Sequence, residues 1–163
     1  MSALDFPSFY AQAKDPVFRA VLLATRRRDD AEEAVAEAFV RACERWETLE
    51  GHPNPTAWVI RTAMNRFISG WRVWRREQAE MPEMVSLVPD EARSLDPFLL
   101  RQLWRLPDRQ RQVVALRVLA DLDTRSTAAA LGIAEGTVGV HLMRGLETLR
   151  RALAGTDYEE VAR

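Results

Sequence analysis

The chain has 163 residues, of which 47% are hydrophobic, and its 23 Lys and Arg against 24 Asp and Glu leave a formal net charge of −1. That is enough apolar material for one ordinary core or two small ones, and too much for a chain disordered throughout. No apolar run is long enough to span a bilayer and residues 1–10 lack the basic and apolar segments of a signal peptide, so a cytoplasmic protein without membrane insertion is expected.

Residues 5–28 read as one helix interrupted near Asp15-Pro16, with Phe6, Phe9, Phe18, Val21 and Leu22 as apolar anchors. A second helix starts at Asp29 or Asp30, either of which can cap it, and runs to about Trp46 with Val35, Ala38, Phe39, Ala42 and Trp46 on one stripe. Glu33, Glu37 and Glu44 lie on its other side. They form either a solvated acidic face or a docking surface for a basic partner, and charge alone favours the first. Cys43 is the only cysteine, which excludes an intrachain disulfide, and its neighbours Phe39, Ala42 and Trp46 predict a buried structural thiol. His52 and His141 stand too far from it in sequence for a zinc-type spacing, so no metal and no other cofactor is expected.

Residues 49–55 hold one glycine and two prolines and form a loop, after which Thr56 is placed to cap the next helix. That helix, 57–77, carries two separate stripes. Ala57, Ile60, Met64, Phe67, Trp71 and Trp74 recur at core spacing, while Arg61, Asn65, Ser69, Arg72 and Arg76 recur on another face. Arg and Asn suit phosphates and base edges, and Trp58 at the loop junction is placed to stack on an unpaired base. The plainer alternative is a solvated Arg-rich face with all three tryptophans in the core.

The charges are segregated: Arg61, Arg66, Arg72, Arg75 and Arg76 have no acid between them, whereas Glu80, Glu83, Asp90, Glu91 and Asp96 are opposed by Arg93 alone. Residues 79–97, with Pro82, Pro89 and Pro97 and no helical period, read as an acidic linker between domains. Beyond it, Phe98, Leu99, Leu103 and Trp104 give a short helix. Pro107 and Asp108 open another, buried through Val113, Val114, Leu116 and Leu119. Residues 124–131 are Ala-rich and stopped by Gly132. A last helix, to about 153, turns Val138, Leu142, Leu146 and Leu149 inward and Gly139, His141 and Arg144 outward. The last pair has the form of a helix-turn-helix, whose second helix enters the major groove of DNA. The expected fold is therefore all-α: two small helical domains, 1–78 and 98–154, joined by the acidic linker 79–97, the second containing the helix-turn-helix, with a frayed tail at 155–163.

Blocks of residues in this order resemble a known family. They are Asp30-Ala31-Glu32-Glu33-Ala34-Val35 with Glu37-Ala38-Phe39, Ala57-Trp58-Val59-Ile60 with Ala63 and Asn65, Leu106-Pro107 with Arg109 and Arg111, Leu116-Arg117, and residues 131–138. Together they resemble the extracytoplasmic-function sigma factors of bacterial RNA polymerase over nearly the whole chain. The resemblance implies a promoter-recognition subunit with no catalytic residues of its own, core RNA polymerase and promoter DNA as partners, and room for an anti-sigma factor. It implies that Asp30, Glu32, Glu33, Glu37 and Phe39 hold the polymerase. The loop before Trp58 becomes the pocket for a flipped minus-ten base, Arg61, Asn65 and Ser69 the ladder behind it, and Arg72, Arg75 and Arg76 phosphate contacts. Arg117, Thr137, Gly139, Val140, His141 and Arg144 fall at positions facing minus-thirty-five DNA. The family usually has Ser where Ala134 stands, Glu where Ser126 stands, and a basic-Ser-Arg triplet where Gly139-Val140-His141 stands. Sparse base readout by the tail domain, anchored mainly by shape and charge, follows as an expectation.

Two other readings explain less. Thr137-Val138 with His141-Leu142 also resembles the recognition helix of response-regulator effectors, but a receiver domain is missing and the two-stripe helix is left without a role. A helical adaptor using only its acidic helix would leave Arg61 and Asn65 dispensable. No pair of carboxylates and no nucleophile beside a base points to an enzyme.

Overall fold

The structure, a computed structural model, describes residues 4–77 and 95–155, and every regular element in them is helical. Helix α1 (Phe6–Thr25) opens where the Asp5 carboxylate accepts the Ser8 amide at 2.8 Å. The expected break at Pro16 does not occur. Pro16 and Gln12 are both exposed, so the Gln12 carbonyl that loses its partner faces water, while Ala13, Val17, Ala20, Val21 and Ala24 hold both halves of the helix on the core.

Arg26 closes α1 in the left-handed region at φ 61°, and α2 (Arg28–Glu44) starts after the single extended residue Arg27. So short a connection leaves no room for Asp29 or Asp30 to cap. Both occupy the first helical turn instead, where a carboxylate complements the helix dipole. Phe39 is buried from α2 against Phe9 and Tyr10 of α1, with ring centroids 6.2 and 5.0 Å apart, and Trp46 of α3 (Trp46–Leu49) stacks on Phe9 at 4.8 Å. Each such pair adds about 0.5–1.5 kcal/mol beyond area burial. Cys43, expected inside this cluster, is exposed: it lies one residue beyond Ala42, on the far side of the helix. Helix α4 (Pro55–Glu77) is capped by Asn54, whose Oδ1 accepts the Ala57 amide at 3.0 Å, and not by Thr56. Pro55 suits the first helical position because its missing N–H would have had no partner there.

The second half opens with α5 (Pro97–Arg105), capped by the Asp96 carboxylate on the Phe98 and Leu99 amides. The helix thus begins on the last residue assigned to the acidic linker, most of which lies outside the described residues. Helix α6 (Asp108–Val114) runs into a π-helical turn (Ala115–Leu119) closed by the Ala120 amide on the Ala115 carbonyl at 3.0 Å. That wider turn breaks the 3.6-residue period. Val113, Val114 and Leu116 are buried as expected, but Leu119 is carried outward and is 38% exposed.

Helix α7 (Thr124–Leu131) ends at Gly132 with φ 64°, and α8 (Glu135–Ala154) starts at Ala134, which offers no side-chain cap. Val138 and Leu149 of α8 are buried, Leu142 is partly so, and Gly145 marks the closest approach to α6.

The two halves pack together and share one continuous core. Helix α7 lies on α4, and α1 packs against α6 and the π-helical turn. At this junction Arg111, only 3% exposed, donates from Nε and Nη2 to the Ala24 carbonyl, both at 3.3 Å, and from Nη1 to Asp108 at 2.9 Å.

Two substitutions check this packing. A Cβ on Gly145 would lie 2.9 Å from Val114 Cγ2 and 3.5 Å from Gln110 Cβ. Gly145→Ala should therefore cost about 1–3 kcal/mol in urea unfolding despite its better helix propensity. Ala134→Ser should restore a cap and gain roughly 1 kcal/mol in the same measurement. Equal midpoints for Gly145→Ala and the parent chain would contradict the close crossing.

Candidate nucleic-acid interface

The polar ladder on α4 is real in three dimensions. Arg61, Asn65 and Ser69 are all exposed, whereas Ile60, Ala63 and Met64 on the opposite side are buried. With Trp58, Thr62, Arg66 and Arg41 they line one open groove of about 460 Å³ between α2 and α4. Trp58 is half-buried and packs on the core at the groove's end, so a rigid aromatic edge stands beside the ladder. The loop leading to it is shaped by two short bonds: Asn54 donates its amide to His52 Nδ1 at 3.0 Å and caps α4 with its side chain. Arg72, Arg75 and Arg76 lie on the last turns of α4, where side chains are outside the described residues.

Arg41 does not stand out in the sequence, because on α2 it reads as one charge in a solvated face. Its signal is the i, i+4 spacing to Glu37. The structure places it across the groove from Arg61 and bonds its Nη2 to Glu37 Oε1 at 2.7 Å.

Four acids of α2 are paired within the chain. Asp30 meets Arg27 at 2.5 Å, Glu32 meets Arg28 at 2.9 Å, and Glu33 meets Arg66 at 3.5 Å. Glu37 is shared: Oε2 accepts from Arg66 Nε at 2.5 Å while Oε1 accepts from Arg41. These arginines, chiefly Arg66, hold the Glu37 carboxyl below the ordinary glutamate range. Phe39, expected on the same surface, is 5% exposed and fills the aromatic cluster, so it fixes α2 on α1 and does not present its ring to a partner.

In the second half, Gly139, Val140 and Arg144 are exposed on α8 and Thr137 is half-buried. His141, expected outward, is half-buried with Nδ1 shielded from solvent, because it stands one turn before Gly145 toward the core side of the helix. Arg117 is also turned partly inward: Nη1 donates to the Leu122 carbonyl at 2.5 Å. The π-helical turn that carries it sets this direction. Met143, absent from the sequence-based set, is 66% exposed on the same face as Val140. No group of acids, His and Cys suited to a metal occurs among the described residues, and no helix there is long and apolar enough to cross a membrane.

A groove with a basic and amide ladder in one half and a helix-turn-helix in the other matches two regions of a single family. The family profile for Sigma-70 region 2 covers residues 9–77 and that for Sigma-70 region 4 covers residues 99–149. The RNA polymerase sigma-E factor of Streptomyces coelicolor is 30% identical over 96% of this chain and 90% of its own length. The chain belongs to the extracytoplasmic-function sigma factors. It is a sigma factor that brings core RNA polymerase to promoter DNA for transcription initiation. The Bacillus subtilis sigma factor SigW of this family is 25% identical over 86% of this chain and 84% of its own. Among solved structures, the fold matches the sigma factor RpoE of Bartonella quintana, crystallised with the anti-sigma factor NepR. The TM-score is 0.76, with 24% identity over 92% of this chain and 97% of that one. CnrH in complex with the cytosolic domain of CnrY matches at a TM-score of 0.58 with 20% identity, covering 92% and 88% of the two chains.

The charge sharing at Glu37 of this sigma factor has a pH signature. A carboxyl whose pKa is depressed by folding stabilises the folded chain above its unfolded value, roughly pH 4.3, and that contribution is lost as pH falls through the depressed value. Glu37→Gln should flatten this acid limb when unfolding is followed from neutral pH downward. An acid limb of unchanged steepness would show that the α2–α4 ion pairs contribute nothing to folding.

Proposed function

We propose that the groove between α2 and α4 is the minus-ten site of this sigma factor. The observation that carries the proposal is the convergence of Trp58, Arg61, Asn65 and Ser69, with Arg41 opposite, on one open surface held by a rigid helix start. An aromatic edge beside amide and guanidinium donors is what a base turned out of its stack requires, and the arginines supply the phosphate contacts that position it. Arg72, Arg75 and Arg76 extend the same basic track along the chain. In this reading residues 1–78 form the polymerase-binding and minus-ten domain, 79–97 the acidic linker, and 98–154 the minus-thirty-five domain, in which Thr137, Gly139 and Val140 face the bases while Arg117, His141 and Arg144 flank them.

Asp30, Glu32, Glu33 and Glu37 form the polymerase-facing surface of α2. Their arginine partners temper that surface without hiding it, since ion pairs open to solvent are weak and exchange readily for a partner's charges. A cytoplasmic site of action and an anti-sigma protein as a regulatory partner belong to the same proposal.

Transcription by polymerase reconstituted with this chain tests the division of labour. Asn65→Ala should cost roughly 1–3 kcal/mol of discrimination among minus-ten variants, whereas Arg61→Ala should weaken all of them alike and reduce the salt dependence. Reversing charge at Glu33 and Glu37 should weaken co-migration with core enzyme in size-exclusion chromatography. Unchanged discrimination with Asn65→Ala would remove the groove from base reading.

A further inference from the structure

Over its first turns, the face of α8 that points away from the core carries no charge. Val138, Gly145 and Leu149 mark the buried side. Opposite them, over the first turns, stand Gly136, Gly139, Val140 and Met143, all exposed. Val140 is 41% and Met143 66% exposed, and they lie one turn apart. A helix face left to solvent is ordinarily polar, so two exposed apolar side chains framed by glycines call for an occupant. No heavy atom comes within 4 Å of a Cβ built on Gly136 or Gly139, so another molecule can approach the backbone there. Arg144 flanks the face, exposed and without an ion pair among the described residues. The one acid farther along, Glu147, is held by Arg150 and Arg151 at 3.0 Å each.

We propose that Val140 and Met143 read thymine C5 methyl groups in the major groove of the upstream promoter element, with Arg144 on the flanking phosphates. The proposal rests on the reading of α8 as the helix that enters that groove. It replaces hydrogen-bonded readout, for which His141 is turned the wrong way, with apolar readout. The methyl group is the apolar feature that distinguishes thymine on the groove edge. Flexible, polarizable Met143 suits a contact whose position shifts with DNA shape, and stiff β-branched Val140 fixes the register beside it.

Deoxyuridine in place of thymidine removes only that methyl and keeps every hydrogen-bonding group. Templates randomised at the upstream element are transcribed by core polymerase carrying the full chain, and the best are remade with deoxyuridine at their upstream thymines. Each lost methyl should reduce open-complex formation by about threefold to fivefold. With the Val140→Ala, Met143→Ala double variant the deoxyuridine effect should vanish; both changes are at exposed helical positions where Ala is well tolerated. If the wild type ignores deoxyuridine while Arg144→Ala still weakens upstream-dependent initiation, α8 touches DNA without reading methyls and the proposal falls alone. A deoxyuridine effect that persists in the double variant also overturns it. If Met143→Ala instead weakens binding to core polymerase with no deoxyuridine effect, the face belongs to a protein contact and the proposal is wrong. If no upstream sequence is selected and Arg144→Ala changes nothing, the assignment of α8 to DNA itself fails.

Discussion

The junction between the two halves is built around one buried cation. A guanidinium removed from water is costly unless its donors are met, and Arg111 meets them with the Ala24 carbonyl, the Leu106 carbonyl and the Asp108 carboxylate. Ala24 lies in the last turn of α1, where unpaired carbonyls carry the negative end of the helix dipole. A positive charge belonging to the other half therefore satisfies two needs at once. Burial pulls the Arg111 pKa down and Asp108 pushes it back, and arginine remains charged throughout the physiological range. Helix α8 packs on α6, which this anchor ties to α1, and α7 packs on α4.

Helix α4 is the element on which most demands meet. Its buried side joins α1 and α2 and carries α7, while its exposed edge carries the ladder. The groove owes its width to α2, and the charges lining it are balanced across the two helices through Glu37. Thus the surface that reads as acidic along α2 and the surface that reads as basic along α4 are electrically one unit. Segregation of charge along the chain becomes compensation in space.

Much of this is legible in the sequence because helical periodicity reports burial directly. The stripes of α4, the stop at Gly132 and the four-and-three spacing of α8 all rest on patterns that a single helix imposes on its own residues. What fails depends on neighbours. Pro16 looks like a break because sequence does not say that the carbonyl it frees faces water. Asp29 looks like a cap because the two-residue corner after α1 is set by Arg26 in a left-handed conformation that few side chains favour. Leu119 and Arg117 are redirected by a π-helical turn, which shifts the helical phase without any residue that announces it. His141 reads as outward until the core is seen to wrap around α8 near Gly145. In the candidate site, the ladder is visible whereas Arg41 is not, since its role comes from lying across a groove formed by another helix.

The contact at Gly145 gives α8 the mechanics of a lever. The fulcrum is a place where a single methyl group is missing, and Gly139 lies six residues away along the axis, about 9 Å at 1.5 Å per residue. Volume added at this crossing has to be met by a shift of Val114 or of α8 itself, and a shift of α8 is carried to its far arm, where the exposed side chains stand. The aim of those side chains is thus governed by volume at a buried crossing that never meets DNA. If α8 reads upstream DNA as proposed, promoter preference is open to drift through core residues of α6 as well as through the exposed face of α8.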